Sequence, residues 1–228
     1  MWAVVVAGGS GSRFGRPKQF ELLSGKPVVA WSVDAARRAV DGIILVVPAA
    51  EVERAHALGA DVVVAGADSR SGSVRCGLAR VPDDAAIVVV HDAARPLASP
   101  ALFSAVLAPL RDRPGAQGAD AVVCALAVAD TLKRVGPDGS TVDCTLERPG
   151  LVAVQTPQAF RADVLRRAHA SGADATDDAA LVEAIGGVVR VVPGEPHNVK
   201  LTVPADLALL EHLLASRGVG REWGGGEP

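Results

Sequence analysis

The sequence predicts an α/β fold with a single doubly wound, mostly parallel sheet of the Rossmann-like kind and a protruding β-hairpin arm. Short apolar runs alternate with helical patterns throughout residues 1–90, and this alternation is typical of parallel strands joined by crossover helices. The run at residues 87–90 is apolar at every position, as expected of a strand covered on both faces. With 228 residues, the chain is long enough to form one large domain around such a sheet.

Glycine and proline mark the limits of the first predicted elements. A strand at residues 2–6 runs into a glycine-rich turn, and a helix at residues 27–40 starts with Pro27 and is followed by Gly42. The remaining strands are predicted at residues 43–47, 62–64, 87–90, 121–126, 151–155, 188–192 and 198–202. The remaining helices are predicted at residues 51–58, 71–79, 100–110, 162–170, 176–185 and 204–215.

Residues 129–150 interrupt this alternation. Two short runs of alternating polarity flank the turn sequence Gly136-Pro137-Asp138-Gly139, which predicts a β-hairpin. Because an isolated hairpin without a hydrophobic face is marginal in water, we expect this arm to pack on something else, plausibly a second subunit.

Composition excludes several classes of partner. With 23 basic and 26 acidic side chains the net charge is −3, so overall electrostatics favour neither nucleic acid nor a membrane surface. The three cysteines lack a C-x-x-C motif, which argues against a disulfide framework and a zinc site. No apolar run is long enough for a membrane span and no basic region precedes the first strand, so the sequence predicts a cytoplasmic protein.

The glycine-rich turn after the first strand predicts a phosphate-binding loop. A P-loop requires Gly-Lys followed by Ser or Thr, but the Gly25-Lys26 pair downstream of the turn is followed by Pro27. A dinucleotide-binding turn requires a third glycine, but Phe14 stands at that position. Glycine allows backbone N–H groups to approach a phosphate, and two cations, Arg13 and Lys18, follow the glycines. The alternative is an ordinary strand-to-helix turn with solvated basic residues.

Further motifs follow this loop in a fixed order. They are Gly66-Ala67-Asp68-Ser69-Arg70 with Ser73-Val74 and Gly77-Leu78, His91-Asp92-Ala93-Ala94-Arg95-Pro96, Asp130-Thr131 with Lys133-Arg134, Gln155-Thr156-Pro157-Gln158, and Asn198-Val199-Lys200. Together with the loop they resemble the 2-C-methyl-D-erythritol 4-phosphate cytidylyltransferase family over about residues 2–215. The resemblance implies transfer of CMP from CTP to methylerythritol phosphate, a magnesium ion, and a homodimer formed through the 129–150 arm.

The resemblance also implies a role for individual residues. The catalytic set is Arg13, Lys18, Arg148 and Lys200. The nucleotide-binding set is Ala7, Gly8, Gly9, Ser10, Gly11, Asp68, Arg70 and Ser73. The acceptor-binding set is Asp92, Arg95, Thr131 and Thr156, with Thr131 entering the site of the other subunit. Asp92 is also the candidate ligand for magnesium or for the cytidine ribose, because magnesium is commonly held by one or two carboxylates plus substrate phosphates.

Physical chemistry is consistent with these roles. The nucleophile would be a phosphate monoester, which is mostly dianionic near neutral pH because its second pKa is about 6, so no general base is required. The obstacle is repulsion between this dianion and the triphosphate, which fixed cations and positioning overcome.

Several alternatives stay open at this stage. The protein could activate another polyol phosphate, such as ribitol 5-phosphate, or it could sense a nucleotide without turnover. Asp177 and Asp178 after Thr176 predict a helix N-cap in preference to a ligand set, and His91 is interpreted as a spacer. Two departures from the family pattern occur: the loop opens Ala7-Gly8-Gly9 where Ala-Ala-Gly is usual, and residues 144–149 differ around Arg148.

Two units follow from this interpretation. Residues 1–216 are predicted to form the nucleotidyltransferase domain, with the 129–150 arm inside it. Residues 217–228, which include Gly224-Gly225-Gly226, are predicted to be a flexible C-terminal tail.

Overall fold

A computed structural model describes residues 1–9, 14, 17–111 and 118–219. Its strands are β1 (Trp2–Val6), β2 (Leu22–Leu23), β3 (Lys26–Pro27), β4 (Gly42–Val47), β5 (Val62–Ala65), β6 (Ile87–Asp92), β7 (Ala121–Ala127), β8 (Lys133–Val135), β9 (Val142–Thr145), β10 (Val152–Arg161) and β11 (Val189–Pro193). Its α-helices are α1 (Val28–Arg37), α2 (Val52–Ala55), α3 (Arg70–Leu78), α4 (Pro100–Arg111), α5 (Ala162–His169), α6 (Asp178–Ala184) and α7 (Ala205–Val219). Short 3₁₀ turns cover Lys18–Phe20, Ala49–Glu51 and His56–Leu58.

Among the described residues, seven strands form the central sheet in the order β11-β7-β10-β6-β1-β4-β5. The pairs are parallel except where β10 lies antiparallel between β6 and β7. In the centre Val4 pairs with both Ile44 and Val90. The predicted α/β class with one mostly parallel sheet is therefore confirmed. After β1, the chain adds β4 and β5 on one side of this strand and then β6 on the other side.

Alternate residues of the central strands feed two separate cores. Val5 and Leu45 pack on the face covered by α1 and α4, whereas Val4, Ile44 and Val90 pack on the face covered by α3, α5 and α6. Because both faces are covered, every residue of β4 and β6 is buried. Each fully buried aliphatic side chain contributes about 1.5–3 kcal/mol to folding, so these strands fix the positions of the loops that follow them.

The 129–150 arm forms a hairpin separate from the main sheet. β8 and β9 pair antiparallel, and the turn between them is closed by the Gly139 N–H donating to the Gly136 carbonyl, 2.9 Å away, with Gly139 at a φ of 71°. Every residue of both strands is exposed. The predicted hairpin is confirmed, whereas its role in a homodimer stays a prediction.

Three predicted elements differ in the structure. The strand predicted at 198–202 is wrong: this stretch is irregular, because the Leu201 N–H donates to the Ala94 carbonyl in the loop after β6 instead of joining the sheet. The strand predicted at 151–155 continues to Arg161, with Pro157 tolerated where the pairing to β7 shifts register. The helix predicted at 51–58 is a single α-turn between two 3₁₀ turns.

The final helix passes the predicted boundary between domain and tail. α7 continues to Val219, beyond the limit set at residue 216. The rest of the predicted tail, residues 220–228, lies outside the described residues.

No helix in the described part of the chain combines the length and the apolar character that crossing a membrane requires.

Candidate active site

A cavity of about 620 Å³ opens at the carboxyl ends of β1, β4 and β6. Predicted site residues that line it are Ala7, Gly8, Gly9, Lys18, Asp68, Arg70, Ser73, Asp92 and Lys200. Ser10, Gly11 and Arg13, which belong to the same predicted sets, lie outside the described residues. Ligands of open α/β sheets bind at this edge, so the cavity is the candidate nucleotide site.

Close packing of two loops shapes the floor of this cavity. The Ser73 hydroxyl accepts a hydrogen bond from the Ala67 N–H and donates one to the Ala67 carbonyl, both at 3.1 Å. A Cβ at Gly8 would lie 3.0 Å from Ser73 Oγ, and one at Gly66 would lie 2.8 Å from it. In this chain, glycine at both positions leaves room for the Ser73 hydroxyl between the first loop and the β5–α3 loop.

Asp92 lies at the centre of a cluster of charges. Its Oδ2 accepts from Lys200 Nζ at 2.6 Å, and its Oδ1 accepts from Arg70 Nε at 3.3 Å. Burial opposes ionisation of this carboxyl, but the charges of Arg70 and Lys200 outweigh burial and hold the pKa of Asp92 well below its usual range. Asp92 is therefore an anion at physiological pH, as a metal or hydroxyl ligand must be.

Arg70 connects this cluster to a buried acid. It is the first residue of α3, and its Nη1 donates to Asp178 Oδ2 at 2.7 Å. Burial disfavours a charged guanidinium, but Asp92 and Asp178 more than compensate and raise the pKa of Arg70 above its ordinary value. His169 Nε2 lies 3.0 Å from the second oxygen of Asp178.

Sequence reasoning identified Asp177 as an N-cap and missed Asp178. The cap is confirmed, because the Asp177 side chain accepts from the Ala180 N–H at 3.0 Å. Asp178, by contrast, is fully buried together with Leu181 and Val182. A signal was present: positions 178, 181 and 182 follow the i, i+3, i+4 spacing of the apolar face of α6, so the acid stands where an apolar residue belongs.

A second cavity, of about 320 Å³, adjoins the first. Arg70, Asp92 and Lys200 line both cavities. The second cavity also has Arg95 and Thr156 in its lining, so all three residues of the main body that are predicted to bind the acceptor, these two and Asp92, line it. Two cavities that share the cations Arg70 and Lys200 are suited to binding two anions next to each other.

The polar lining of the smaller cavity is held by hydrogen bonds and leaves two buried atoms without partners among the described residues. Arg95 Nη1 donates to the Asn198 carbonyl at 2.7 Å, and the Thr156 hydroxyl oxygen accepts from the Asp92 N–H at 3.0 Å. Arg95 Nε and Gln158 Oε1 have no hydrogen-bond partner in the described part of the chain. Both atoms are enclosed by the fold, so each is a buried polar group that the described residues leave unsatisfied.

His91 does more than space the strand end from the loop. Its Nε2 is 3.2 Å from the Arg95 carbonyl and its Nδ1 is 3.2 Å from Thr156 Oγ1. A carbonyl only accepts, so Nε2 carries the hydrogen and Nδ1 accepts from the Thr156 hydroxyl. Burial lowers the pKa of His91 to about 4, so this neutral tautomer persists near neutral pH and fixes the Thr156 hydroxyl.

Thr131 and Arg148 do not join the other predicted residues within the chain. Both are exposed and belong to the arm region, and neither lines either of the two cavities. The Arg148 guanidinium donates to the Ala129 carbonyl at the base of the arm. Their predicted roles in catalysis and acceptor binding therefore stay predictions.

The chemistry of the site fits a magnesium ion held mainly by substrate. Among the described residues, no group of three or more His, Cys, Asp or Glu side chains could hold a metal ion. Asp92 supplies an ionised carboxylate at the junction of the two cavities. Magnesium usually binds one or two carboxylates together with substrate phosphates and water, and Asp92 meets that requirement.

Comparison with known proteins gives a consistent result. A relative from Nocardia farcinica named 2-C-methyl-D-erythritol 4-phosphate cytidylyltransferase is 48% identical, over 94% of this chain and 94% of its own length. A relative of the same name from Frankia casuarinae is 46% identical, over 93% of this chain and 80% of its own length.

Solved structures agree in fold. The 2-C-methyl-D-erythritol 4-phosphate cytidylyltransferase of Thermus thermophilus superposes with a TM-score of 0.78 at 32% identity, covering 93% of this chain and 98% of that chain. The 4-diphosphocytidyl-2C-methyl-D-erythritol synthase of Anaerococcus prevotii gives a TM-score of 0.79 at 29% identity, covering 94% and 97%. The sequence model described as IspD, 2-C-methyl-D-erythritol 4-phosphate cytidylyltransferase, matches residues 1–216, and the chain belongs to that family.

Proposed function

We propose that the protein transfers CMP from CTP to 2-C-methyl-D-erythritol 4-phosphate, giving 4-diphosphocytidyl-2-C-methyl-D-erythritol and pyrophosphate for non-mevalonate isoprenoid biosynthesis. The observation that carries this proposal is the pair of adjoining cavities that share Arg70, Asp92 and Lys200. One cavity has the glycine loop and Lys18 in its lining, and the other has Arg95 and Thr156. The names of the relatives support the choice of nucleotide and acceptor.

The proposed reaction needs no proton transfer by the protein. An oxygen of the acceptor phosphate forms a bond to the α-phosphorus of CTP, and the bond from that phosphorus to the oxygen bridging to the β-phosphate breaks. Pyrophosphate leaves with the bonding electrons. Positive groups around the α-phosphate stabilise the charge that develops there, and this is the role proposed for Lys18 and for Arg13, which lies outside the described residues.

Lys200 is proposed to hold the incoming phosphate. Its ammonium group bonds Asp92, and its side chain is 39% exposed, so it can turn towards a ligand. A dianionic phosphate in the smaller cavity would compete for this ammonium and would also be attracted by the positive charge of Arg95, which lines the same cavity. These contacts would hold the acceptor phosphate in line with the α-phosphorus of CTP, so that the two anions react from a fixed orientation.

Magnesium is the proposed cofactor, with Asp92 as its protein ligand. When bound, the ion supplies charge neutralisation of the CTP phosphates. The fit follows from the ionised state of Asp92 and its place between the two cavities.

We also propose that the active protein is a homodimer in which the 129–150 arm reaches the partner. The arm carries exposed apolar side chains, with Val135 50% and Val142 60% exposed, and such residues favour a covered surface. Thr131 and Arg148 line neither cavity of their own chain, so a reciprocal contact would bring them to the site of the other.

The test is to supply the purified protein with CTP, magnesium and a panel of polyol phosphates and to measure pyrophosphate release. We expect release with methylerythritol phosphate that depends on both substrates and on magnesium. Preferred turnover of ribitol 5-phosphate would instead identify a sister cytidylyltransferase. Tight CTP binding without pyrophosphate release for any acceptor would favour a nucleotide sensor.

A further inference from the structure

Arg70 bonds a second carboxylate besides Asp92, the buried Asp178, which in turn contacts the buried His169. Asp178 is 0% exposed and His169 is 4% exposed, although both are polar. The guanidinium of Arg70 bonds Asp178 through Nη1 at 2.7 Å and Asp92 through Nε at 3.3 Å. The two carboxylates therefore hold Arg70 by two different nitrogens, and they do so from different elements of the fold.

Arg70 stands at a position that disfavours a cation. It is the first residue of α3, where unsatisfied backbone N–H groups give the helix a partial positive charge. A buried carboxylate offsets that repulsion. Because the guanidinium is a rigid planar fork, fixing two of its nitrogens also fixes the direction of the remaining N–H groups.

His169 completes the coordination of Asp178. Its Nε2 lies 3.0 Å from Asp178 Oδ1, whereas Asp178 Oδ2 bonds Arg70. Its Nδ1 is buried and has no hydrogen-bond partner in the described part of the chain. A carboxylate only accepts hydrogen bonds, so Nε2 carries a hydrogen and donates it to Asp178.

The segment that carries Asp178 braces α3 at other points too. The Ser69 hydroxyl donates to Asp174 Oδ1 at 2.8 Å, and Arg75 Nη2 lies 3.2 Å from the same oxygen. Asp174 is half-exposed and lines neither cavity. Asp178 differs from Asp174 because its partner, Arg70, faces both cavities.

We propose that Asp178, buttressed by His169, is a positioning residue that fixes the Arg70 guanidinium in the wall shared by the nucleotide and acceptor cavities. Asp178 lines neither cavity itself and acts through Arg70. The proposal rests on the proposed function, because it assumes that CTP occupies the larger cavity. Its consequence is that the effect of changing Asp178 disappears once Arg70 is gone.

A double-mutant cycle tests this consequence. Asp178→Asn, Arg70→Ala and the double variant are compared in CTP affinity by calorimetry and in kcat and KM for both substrates, with thermal unfolding of each. We expect Asp178→Asn to weaken CTP binding and raise the KM for CTP by about tenfold, the scale of losing a hydrogen bond to a charged group. In the Arg70→Ala background the same change should alter either constant less than about twofold.

Asp174→Asn is the matched control, because it loosens the same helix through Ser69 and Arg75 and leaves the bonds of Arg70 in place. We expect its CTP affinity to stay within about twofold of wild type. Wild-type constants for Asp178→Asn, or equal losses in the two backgrounds, would overturn the proposal, the latter because it would indicate a general structural effect.

A second variant covers the case in which Asp178→Asn does not fold. His169→Leu removes the donor to Asp178 and should weaken CTP binding by about two- to threefold, again only when Arg70 is present. An equal loss with and without Arg70 would overturn the proposal. A wild-type protein that binds CTP but transfers no CMP would refute the proposed function alone, since the affinity cycle still tests Asp178, whereas absence of CTP binding would refute both.

Discussion

The edge of the central sheet and the 129–150 arm both carry predicted site residues, but the two regions differ in how those residues are packed. At the sheet edge, Arg70 and Lys200 both bond Asp92, whose side chain is largely shielded by the fold. On the arm, Thr131 and Arg148 are exposed and stand beside exposed valines. The first region is held together by contacts within the chain, whereas Thr131 and Arg148 on the arm line neither cavity. The comparison separates what contacts within the chain show from the role in a homodimer that we propose for the arm.

The largest effect that would test the self-sufficient region is expected from Lys18→Ala. Loss of a well-placed cation near the α-phosphate should lower kcat by at least about a hundredfold while the fold survives. Steady-state pyrophosphate release and thermal unfolding measure the two quantities. Lys26→Ala is the matched control, because Lys26 pairs with Asp34, stacks over Trp31 and lines neither cavity. Full activity of Lys18→Ala would locate the reaction elsewhere.

Lys200→Ala should sharpen the division between the two cavities. We expect kcat/KM for the acceptor to fall about 10- to 100-fold, the range for a hydrogen bond to a charged group, with a smaller change in the KM for CTP. Initial rates at varied acceptor and varied CTP measure both constants in one variant, so each serves as the control for the other. Unchanged acceptor kinetics would remove the role assigned to Lys200.

A charge placed on the arm should break the assembly and leave the chain folded. Val142→Lys puts an ammonium on a side chain that is 60% exposed, so we expect the fold of the single chain to persist while the dimer dissociates. Activity should fall at least about tenfold, because Arg148 could then no longer make the contact to phosphate that we propose for it across the dimer. Sedimentation velocity and pyrophosphate release follow the two effects. Ser140→Lys, at the exposed turn of the same hairpin, is the control. A Val142→Lys protein that remains dimeric would contradict the proposed interface.

The last prediction concerns the pH dependence of stability, and it involves the sheet edge only. His91 has a folded-state pKa of about 4 against an ordinary 6.5, so the unfolded chain takes up a proton first as the pH falls. Stability should therefore be constant above pH 6.5, decline between pH 6.5 and 4, and lose about 3 kcal/mol in total from this group. The contribution of Asp92, whose pKa is lowered from 3.8, is lost only at lower pH.

Chemical denaturation at stepped pH measures this loss. In His91→Gln the decline between pH 6.5 and 4 should shrink, even though the variant is less stable at every pH. An unchanged slope would assign the decline to other groups near the sheet edge.

Local patterns were sufficient to predict most of the fold. Short-range periodicity and turn residues identify β1, β4, β6 and the hairpin, because each of these elements is bounded by glycine or proline or is uniform in pattern. The strand predicted at 198–202 failed because its polar groups bond a loop that is remote in sequence. The continuation of β10 through Pro157 was missed because a proline ordinarily argues against an internal strand position.

Only those residues of the candidate site that belong to short sequence motifs were predictable. Lys18, Asp92 and Lys200 stand in recognisable sequences and do meet in space. The N-cap pattern at Asp177 and Asp178 does not reveal the bond from Asp178 to Arg70, which is 108 positions away. Pairings of that separation are set by how helices pack, which local patterns do not specify.

Strand β10 connects the arm to the edge of the central sheet. Its first residues, Val152–Val154, are exposed next to the arm and bond β7, while its later residues run buried between β6 and β7 and carry Thr156 and Gln158. The same strand therefore runs from the base of the arm to the lining of the smaller cavity. If the arm binds a partner as proposed, that contact would act on the strand that supplies Thr156 and Gln158 to the cavity.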